Sequence, residues 1–341
     1  MPEYVPILKS KPAEIWAWCN STPAVTSKSR VLFEVVPSTT KRGPIYDFIS
    51  RISRNWPTGS VMTVDSRSVN QPSSGVWAIA ESLRQRIIPV CPVVRLDDSP
   101  QILSEVNAAC ALHSEGACLR LGSEDRDPDP CVTKSQVDIL LQVIGLNTTE
   151  IDLLIDFKVI GSERDGARCV PLAISMLQWA AKTGSWRRVT VASGAFPQRI
   201  SDLSTGMATS VPRFDADFFS QVVSASGNIQ PDYGDYGINY PIIGPVIPRS
   251  PNPNLRYTEG LVWQVDREAK LLPGNESFFT ICERVVQSGY RAGANYSAGD
   301  EEIERCSQGI GGAGTATQWL SYGTSHHLAT IADRLTNLGA P

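Results

Sequence analysis

Several features that would place this chain in a familiar class are missing. No apolar run approaches the length of a membrane-spanning helix, and the N-terminus lacks the basic-then-apolar layout of a secretion signal. The eight cysteines form no CxxC pair, which argues against a zinc site and fits reduced core thiols. We therefore expect a cytoplasmic protein with no membrane partner. The formal net charge is −4, whereas non-specific nucleic-acid binders usually have an excess of basic residues. A local basic groove remains an alternative.

The common catalytic signatures are also missing. No GxGxxG follows the first predicted strand, so a dinucleotide-binding sheet has no support. Ser193 and Gly194 follow another predicted strand, but they lack the GxSxG pattern of a nucleophile elbow, which argues against a serine hydrolase. Histidine is scarce, with three residues in the chain, and two of them are adjacent at His326-His327.

What the chain does contain is a repeated alternation of short apolar runs and helical segments. With 341 residues, 42% apolar and 19% charged, it has ample core material for a globular protein. The apolar runs are continuous rather than alternating, as in buried parallel strands. The predicted strands are 4–9, 31–36, 61–65, 88–96, 117–121, 151–160 and 188–192.

Seven such units, with an eighth strand placed in a Tyr/Asp/Gly-rich stretch near 231–241, favour a closed barrel over an open sheet. The prediction is an α/β fold of the (β/α)8 TIM-like type, forming a single domain over residues 1–341. An irregular Tyr/Gly/Pro-rich insertion is expected around 228–275, because the strand–helix rhythm breaks there.

Charged residues lie where the predicted strands end. Active sites of such barrels lie at the carboxyl mouth, so Glu34, Asp65 and Asp156 are expected to converge. Converging carboxylates suit a divalent cation such as Mg²⁺, or the separate roles of acid and base. Arg120, at another strand end, would neutralise them or hold an anionic substrate. The alternative is a buried ionic network that only fixes the barrel.

The C-terminal third adds a second set of polar candidates. Asp235 and Tyr236 combine a carboxylate with a phenol, a pairing that suits proton transfer, a binding face or a solvated loop. Neighbouring residues of a helix point about 100° apart, so His326 and His327 cannot easily face one metal ion. One of them could reach the mouth while the other packs.

Taken in order, several segments resemble the phage "beta protein" family, which is also widespread in bacteria. They are YVPILKSK, FEVVP, LLIDF, DYGDYGINYP, RYTEG, SAGDEEI and QWLSYGTSHHLATIADRL. The resemblance covers nearly the whole chain and implies one barrel-like α/β domain from a phage, mobile or defence-associated locus. It implies no reaction. Arg256-Tyr257 and Gly299-Asp300 recur in the family, whereas Trp319 is followed here by Leu320 where members tend to have arginine. The recurring polar residues lead us to expect His327, Asp235 and Arg256 near the same mouth as Asp156.

Two functional hypotheses follow. The first is a barrel enzyme or ligand binder for an anionic, phosphate-bearing substrate, in which a divalent cation is one option. Its predicted catalytic residues are Glu34, Asp65, Asp156, His326 and His327, and its predicted substrate-binding residues are Arg120, Asp235, Tyr236, Arg256 and Tyr257. The second is a non-catalytic protein that contacts another protein of the same phage or anti-phage defence locus.

Overall fold

A computed structural model describes residues 3–38, 40–52, 56–69, 75–122, 125, 130–244, 251–270 and 275–341. Parallel strands form a closed barrel at its centre, in the order β1-β2-β3-β4-β5-β6-β7-β9 once the strands are numbered along the chain. The strands are β1 (Tyr4–Lys9), β2 (Leu32–Glu34), β3 (Met62–Asp65), β4 (Val90–Val94), β5 (Ala117–Gly122), β6 (Ile151–Val159), β7 (Arg188–Gly194), β8 (Ala208–Pro212), β9 (Asp232–Asp235), β10 (Asn254–Glu259) and β11 (Val262–Arg267). The predicted (β/α)8 barrel is therefore confirmed.

The eighth barrel strand is β9, which lies inside the Tyr/Asp/Gly-rich stretch. It pairs in parallel with β7 and with β1, and these two pairings close the ring. Gly234 permits close packing there, because a Cβ at this position would lie 2.7 Å from Cβ of Ala192. A strand of four residues with one glycine has almost no apolar run, and here the glycine leaves room for the side chain of Ala192 on β7.

Helices cover the outside of the barrel. Others pack on a second sheet, formed by β10, β11 and β8, which we call the added sheet. The helices are α1 (Pro12–Cys19), α2 (Pro23–Thr26), α3 (Pro44–Ile52), α4 (Val76–Arg84), α5 (Pro100–His113), α6 (Pro130–Ile144), α7 (Glu163–Thr183), α8 (Phe214–Ala225), α9 (Ser277–Gln287), α10 (Ala298–Ser307) and α11 (Ala316–Leu338). Outward strand side chains such as Phe33, Val64 and Leu119 meet the helices in the main core. Inward side chains, including Ile7, Leu32 and Leu154, form a smaller cluster inside the barrel. None of the described helices is long and apolar enough to cross a membrane.

The material outside the barrel is more extensive than the insertion predicted for 228–275. The strands β10, β11 and β8 form an antiparallel three-stranded sheet, and β8 comes from before α8. The helices α9 and α10 pack on it in a separate apolar cluster. Conversely, Asp232–Asp235 of the predicted insertion belongs to the barrel. Two parts of that segment, 245–250 and 271–274, lie outside the described residues.

The long helix α11 joins the two parts. It contacts α1 and β1 on the barrel side and β10 and α10 on the other, and most of its residues are buried. A Cβ on Gly323 would lie 2.4 Å from the carbonyl oxygen of Arg256, so the helix and β10 approach to the limit that glycine allows. This contact fixes the added sheet against the barrel.

Candidate functional site

The register of the barrel aligns the polar strand ends. Lys9 of β1 is opposite Glu34 of β2, and Glu34 is opposite Asp65 of β3. Successive side chains of a strand point to opposite faces, so Glu34 faces inward with Leu32 while Phe33 faces the helices. The same alternation turns Asp156 inward from β6. The three predicted carboxylates therefore converge at the carboxyl mouth, as expected.

Arg120 of β5 lies at the centre of these carboxylates. Its Nη1 donates to Asp65 Oδ2 at 2.6 Å, its Nη2 donates to Glu34 Oε1 at 2.8 Å, and its Nε and Nη2 donate to Asp156 Oδ2 at 2.9 and 2.7 Å. The hydroxyl of Tyr236 lies 2.6 Å from Nη2 and donates to Asp156 Oδ2 at 2.6 Å. The Arg120 side chain is 1% exposed. One guanidinium thus binds all three carboxylates.

Two further cations border this network. Arg95 Nη2 donates to Asp65 Oδ2 at 2.5 Å. Lys158 Nζ lies 3.1 Å from Asp156 Oδ2, 3.2 Å from Glu34 Oε1 and 5.3 Å from the ring centroid of Tyr236. Lys158 has a φ of 55°, in the left-handed region that non-glycine residues seldom occupy. Its side chain is 35% exposed, so Lys158 is the part of the network that solvent reaches most easily.

The charges of the network are mutually stabilised. Burial alone would raise the pKa of Asp65, but Arg95 and Arg120 outweigh it and hold that pKa well below its usual range. Burial likewise opposes ionisation of Asp156, and Arg120 and Lys158 reverse the effect and lower its pKa. Burial, followed by the charge of Asp156, raises the pKa of Tyr236 well above its ordinary value. The carboxylates of Asp65 and Asp156 are therefore ionised and the phenol of Tyr236 is neutral at neutral pH.

This arrangement does not suit the predicted divalent cation. The guanidinium of Arg120 occupies the space between the carboxylates in which an ion would need oxygen ligands. Across the residues that the structure describes, no group of three or more His, Cys, Asp or Glu side chains is placed to hold a metal ion. The geometry matches the ionic-network alternative. Arg120 itself binds protein carboxylates and is buried, so it is not presented to a substrate anion.

A pocket opens at the mouth beside this network. It has a volume of about 590 Å³ and lies between the ends of β1 and β2, the segment 242–244 and the start of α11. Its described charged lining residues are Lys9, Lys11 and Arg51, with no acid among them. Lys9 is buried and donates through Nζ to the carbonyl of Tyr240. Burial lowers the pKa of Lys9, and Glu14 and Glu34 act in the opposite direction. We call this cavity the mouth pocket.

The hydroxyls of Ser38 and Thr40 also line the mouth pocket. Both donate to Asp47 Oδ2, which lies 3.7 Å from Arg51 Nη2 behind the lining. These contacts hold the β2 loop against α3. Because Asp47 takes the protons of both hydroxyls, the donors that the mouth pocket offers to an anion are its cations.

The pair His327 and Asp235 lies on the other side of the barrel wall. His327 Nε2 is 2.9 Å from Asp235 Oδ2, and its Nδ1 is 2.8 Å from Thr258 Oγ1 on β10. Asp235 lies on the outer face of β9 with Tyr233, and it also accepts from Tyr4 at 2.8 Å. Both side chains of the pair are buried. The expectation that His327 and Asp235 share the mouth with Asp156 is therefore corrected, because strand alternation turns Asp235 outward.

His326 belongs to a third buried cluster, between α11, β10 and α10. Its Nδ1 lies 2.9 Å from Asp300 Oδ2, and Tyr257 donates to Asp300 Oδ1 at 2.8 Å. The rings of Tyr257 and His326 stack with centroids 3.6 Å apart. The two histidines thus contact different carboxylates, as their angular separation on a helix predicts. This position gives His326 and Tyr257 no access to the mouth pocket.

Arg256 lies at a second pocket rather than at the Asp156 network. Its Nη1 donates to the carbonyl of Ile238 at 2.6 Å, and its guanidinium lies 4.5 Å from the ring centroid of Phe196. Of the predicted site residues, the structure thus brings together Glu34, Asp65, Arg120, Asp156 and Tyr236, and it separates Asp235, Arg256, Tyr257, His326 and His327 from them.

Lys11 and Arg51 of the mouth pocket are not among the site residues predicted from the sequence. Lys11 follows β1 by two residues, so a wider window beyond each strand end would have included it. Arg51 lies on α3, and nothing in the helix pattern distinguishes a lysine or arginine that faces a pocket from one that faces solvent. Only the packing of α3 beside the β1 end shows its role.

The fold defines a (β/α)8-barrel protein. Eight parallel strands close into a ring, helices surround it, and charged residues of the strands lie at the carboxyl mouth. The chain belongs to the Beta protein family, whose model matches residues 4–333. The resemblance seen in the sequence is thereby confirmed.

Comparison with solved structures returns other barrels at very low sequence identity. Triosephosphate isomerase from Bartonella henselae is 10% identical with a TM-score of 0.35, and the match covers 69% of this chain and 92% of that one. The tryptophan synthase α-subunit from Pyrococcus furiosus is 11% identical with a TM-score of 0.39, covering 69% and 88%. A dihydropteroate synthase from Yersinia pestis is 7% identical with a TM-score of 0.41, covering 70% and 90%. Comparison with curated protein sequences finds no match. These similarities are too distant to carry any functional argument.

Proposed function

We propose that this barrel binds a small phosphate-bearing anion in the mouth pocket. The observation that carries the proposal is a cavity of about 590 Å³ whose described charged lining consists of Lys9, Lys11 and Arg51. That volume lies within the usual range for small-molecule sites. Lysine and arginine are common ligands of phosphate oxygens.

In this proposal the Arg120 network forms a rigid floor and does not perform acid–base chemistry. Glu34, Asp65 and Asp156 would have to give up charge-assisted hydrogen bonds to take a proton, and the lowered pKa values of Asp65 and Asp156 oppose that step.

The test is thermal melting of the full chain with ribose 5-phosphate, glycerol 3-phosphate and adenosine monophosphate, each compared with its dephosphorylated form. We expect at least one phosphate ester to raise the melting temperature while its dephosphorylated form does not. Lys11→Gln should weaken this ligand by about tenfold, the effect of one charge-assisted hydrogen bond. Lys11 is exposed, so the variant should fold normally.

Lys182→Gln is the matched control, because it also removes one exposed lysine but lies at the end of α7. It should bind the phosphate ester like the unmodified chain. Equal weakening by both variants would indicate general charge attraction, and no response to any phosphate ester would remove the proposal.

A second candidate is the non-catalytic interaction protein of a phage or anti-phage defence locus. It is favoured by one observation, namely that Arg120 binds all three mouth carboxylates. Co-expression with the proteins encoded beside it, followed by size-exclusion chromatography, would test this candidate. A stable complex that persists in Lys11→Gln would favour it, and elution of the chain alone would count against it. A cytoplasmic setting stays a prediction.

A further inference from the structure

A second pocket, of about 570 Å³, lies between the loop after β7 and the added sheet. Its described charged lining residues are all arginines, namely Arg199, Arg256 and Arg267. Arg199 comes from the β7 loop, whereas Arg256 and Arg267 lie on the neighbouring strands β10 and β11. We call this cavity the arginine pocket. It is separate from the mouth pocket, since the two sets of lining residues do not overlap.

Arg267 differs from the other deeply buried arginines. Arg120, Arg213 and Arg267 are the described arginines that are more than nine-tenths buried. Arg120 and Arg213 have carboxylates within ion-pair distance. Within the described ranges Arg267 has none, and its Nη1 donates to the carbonyls of Ser201 and Leu203. A buried guanidinium with no acidic partner is therefore held beside this cavity.

Arg256 is in a similar position. Its hydrogen-bond acceptors among the described residues are the carbonyl of Ile238 and Oδ1 of Asn239, at 2.6 and 3.3 Å. Burial lowers its pKa to about 10, and Glu14 offsets this only in part. The side chain of Glu14 binds Asn239 Nδ2 at 3.1 Å rather than Arg256. Within the part of the chain that the structure describes, the positive charge of Arg256 thus has no direct counter-charge.

Arg267 is buried and Arg256 is partly buried, and neither has an acidic partner among the described residues. This arrangement costs the folded protein free energy, because desolvation of a charge is only partly offset by neutral carbonyls. An anion in the cavity would offset that cost. The planar guanidinium matches two phosphate oxygens at once, which makes paired arginines a favourable phosphate site.

The position in the fold agrees with this chemistry. The arginine pocket is formed by segments that follow the seventh and eighth barrel strands, β7 and β9, where phosphate groups commonly bind in (β/α)8 barrels. Ala316, the first residue of α11, also lines it, so the positive end of a 23-residue helix borders the cavity. The helix end adds to the arginines and is not needed for the argument.

We propose that the arginine pocket binds the diphosphate group of a small organic diphosphate, independently of the mouth pocket. Arg256 and Arg267 hold one phosphate at the buried end, and the exposed Arg199 contacts the second. The remaining lining is largely apolar, with Pro197, Ile200, Pro251 and Leu320, and it accommodates the organic part of the ligand. The volume of the pocket fits a ligand of that size.

The test uses pyrophosphate as the probe and isothermal titration calorimetry on the full chain, with ionic strength held constant by chloride. We expect saturable binding to the unmodified chain. Arg256→Gln should weaken it by about tenfold or more, because a charge-assisted hydrogen bond is lost. Arg256→Lys, which keeps the charge but loses the fork, should weaken it less than Arg256→Gln.

Arg199→Gln is a second variant that tests pyrophosphate binding in the arginine pocket. Arg199 is exposed and makes no ion pair with the described residues, so its replacement should not disturb folding and should still weaken pyrophosphate severalfold. Arg168→Gln on α7 removes an equally exposed arginine and should have no effect. Absence of binding, or unmodified affinity in both Arg256→Gln and Arg199→Gln, would overturn the proposal.

The Lys11→Gln variant distinguishes binding in the arginine pocket from binding in the mouth pocket. It should leave pyrophosphate affinity unchanged, because Lys11 lines the mouth pocket and does not line the arginine pocket. Loss of pyrophosphate binding in Lys11→Gln with retention in Arg256→Gln would assign the anion to the mouth pocket and reject the arginine pocket as its site.

Discussion

At the scale of single residues, the mouth is organised by Arg120. Its guanidinium contacts carboxylates that are 86, 55 and 36 positions away in the chain. Removal of one partner from such a buried network is far more damaging than its net contribution suggests, because the remaining charges stay buried and unpaired. The convergence of Glu34, Asp65 and Asp156 was predictable from strand ends. For Arg120 the sequence left two alternatives, namely that it neutralises these carboxylates or that it holds an anionic substrate.

We predict that Arg120→Met destabilises the protein strongly. Three carboxylates would lose their shared donor inside the barrel, and the expected loss is about 3–5 kcal/mol in the free energy of unfolding. Urea unfolding at neutral pH measures it. Arg168→Gln, at an exposed site, should change the free energy by no more than about 0.5 kcal/mol. A loss of similar size in both variants would show that the network contributes nothing beyond surface charge.

At the scale of elements, α11 decides how the barrel and the added sheet meet. Consecutive histidines on this helix contact different parts of the molecule. His326 contacts Asp300 of α10, and His327 contacts Asp235 of the barrel strand β9. The helix pattern predicted their angular separation. It did not predict that both would be buried, because a pattern within one helix carries no information about how many neighbours surround it.

Gly323→Ala should weaken this junction. A Cβ there would lie 2.4 Å from the carbonyl oxygen of Arg256, so α11 and β10 would have to separate. We expect a loss of about 1–3 kcal/mol, as for other overpacked contacts. Gly289→Ala is the control, since a Cβ at Gly289 meets no atom within 4 Å. Thermal unfolding of both variants measures the difference, and equal stability of the two would contradict the predicted contact.

At the scale of the whole molecule, the barrel and the added sheet share one buried helix, and we therefore propose that they unfold together. Hydrogen exchange in increasing urea should give peptides from β5 and β6 the same midpoint as peptides from β10 and β11. The reason is that α11 cannot lose its contacts with one part without exposing apolar surface on the other. Earlier exchange in the β10 and β11 peptides would indicate two independent units.

The sequence by itself determined the barrel, since continuous apolar runs that alternate with helices have few other solutions and their charged ends must meet at one mouth. It also placed the eighth strand in the Tyr/Asp/Gly-rich stretch, and it predicted that the two histidines would diverge. The tertiary structure alone decided that a guanidinium fills the space between the carboxylates, that Asp235 faces outward, and that arginines with no acidic partner among the described residues line a pocket of their own. The physical reason is that strand and helix periods are local. The partner of a buried charge, in contrast, depends on register and closure between segments far apart in the chain.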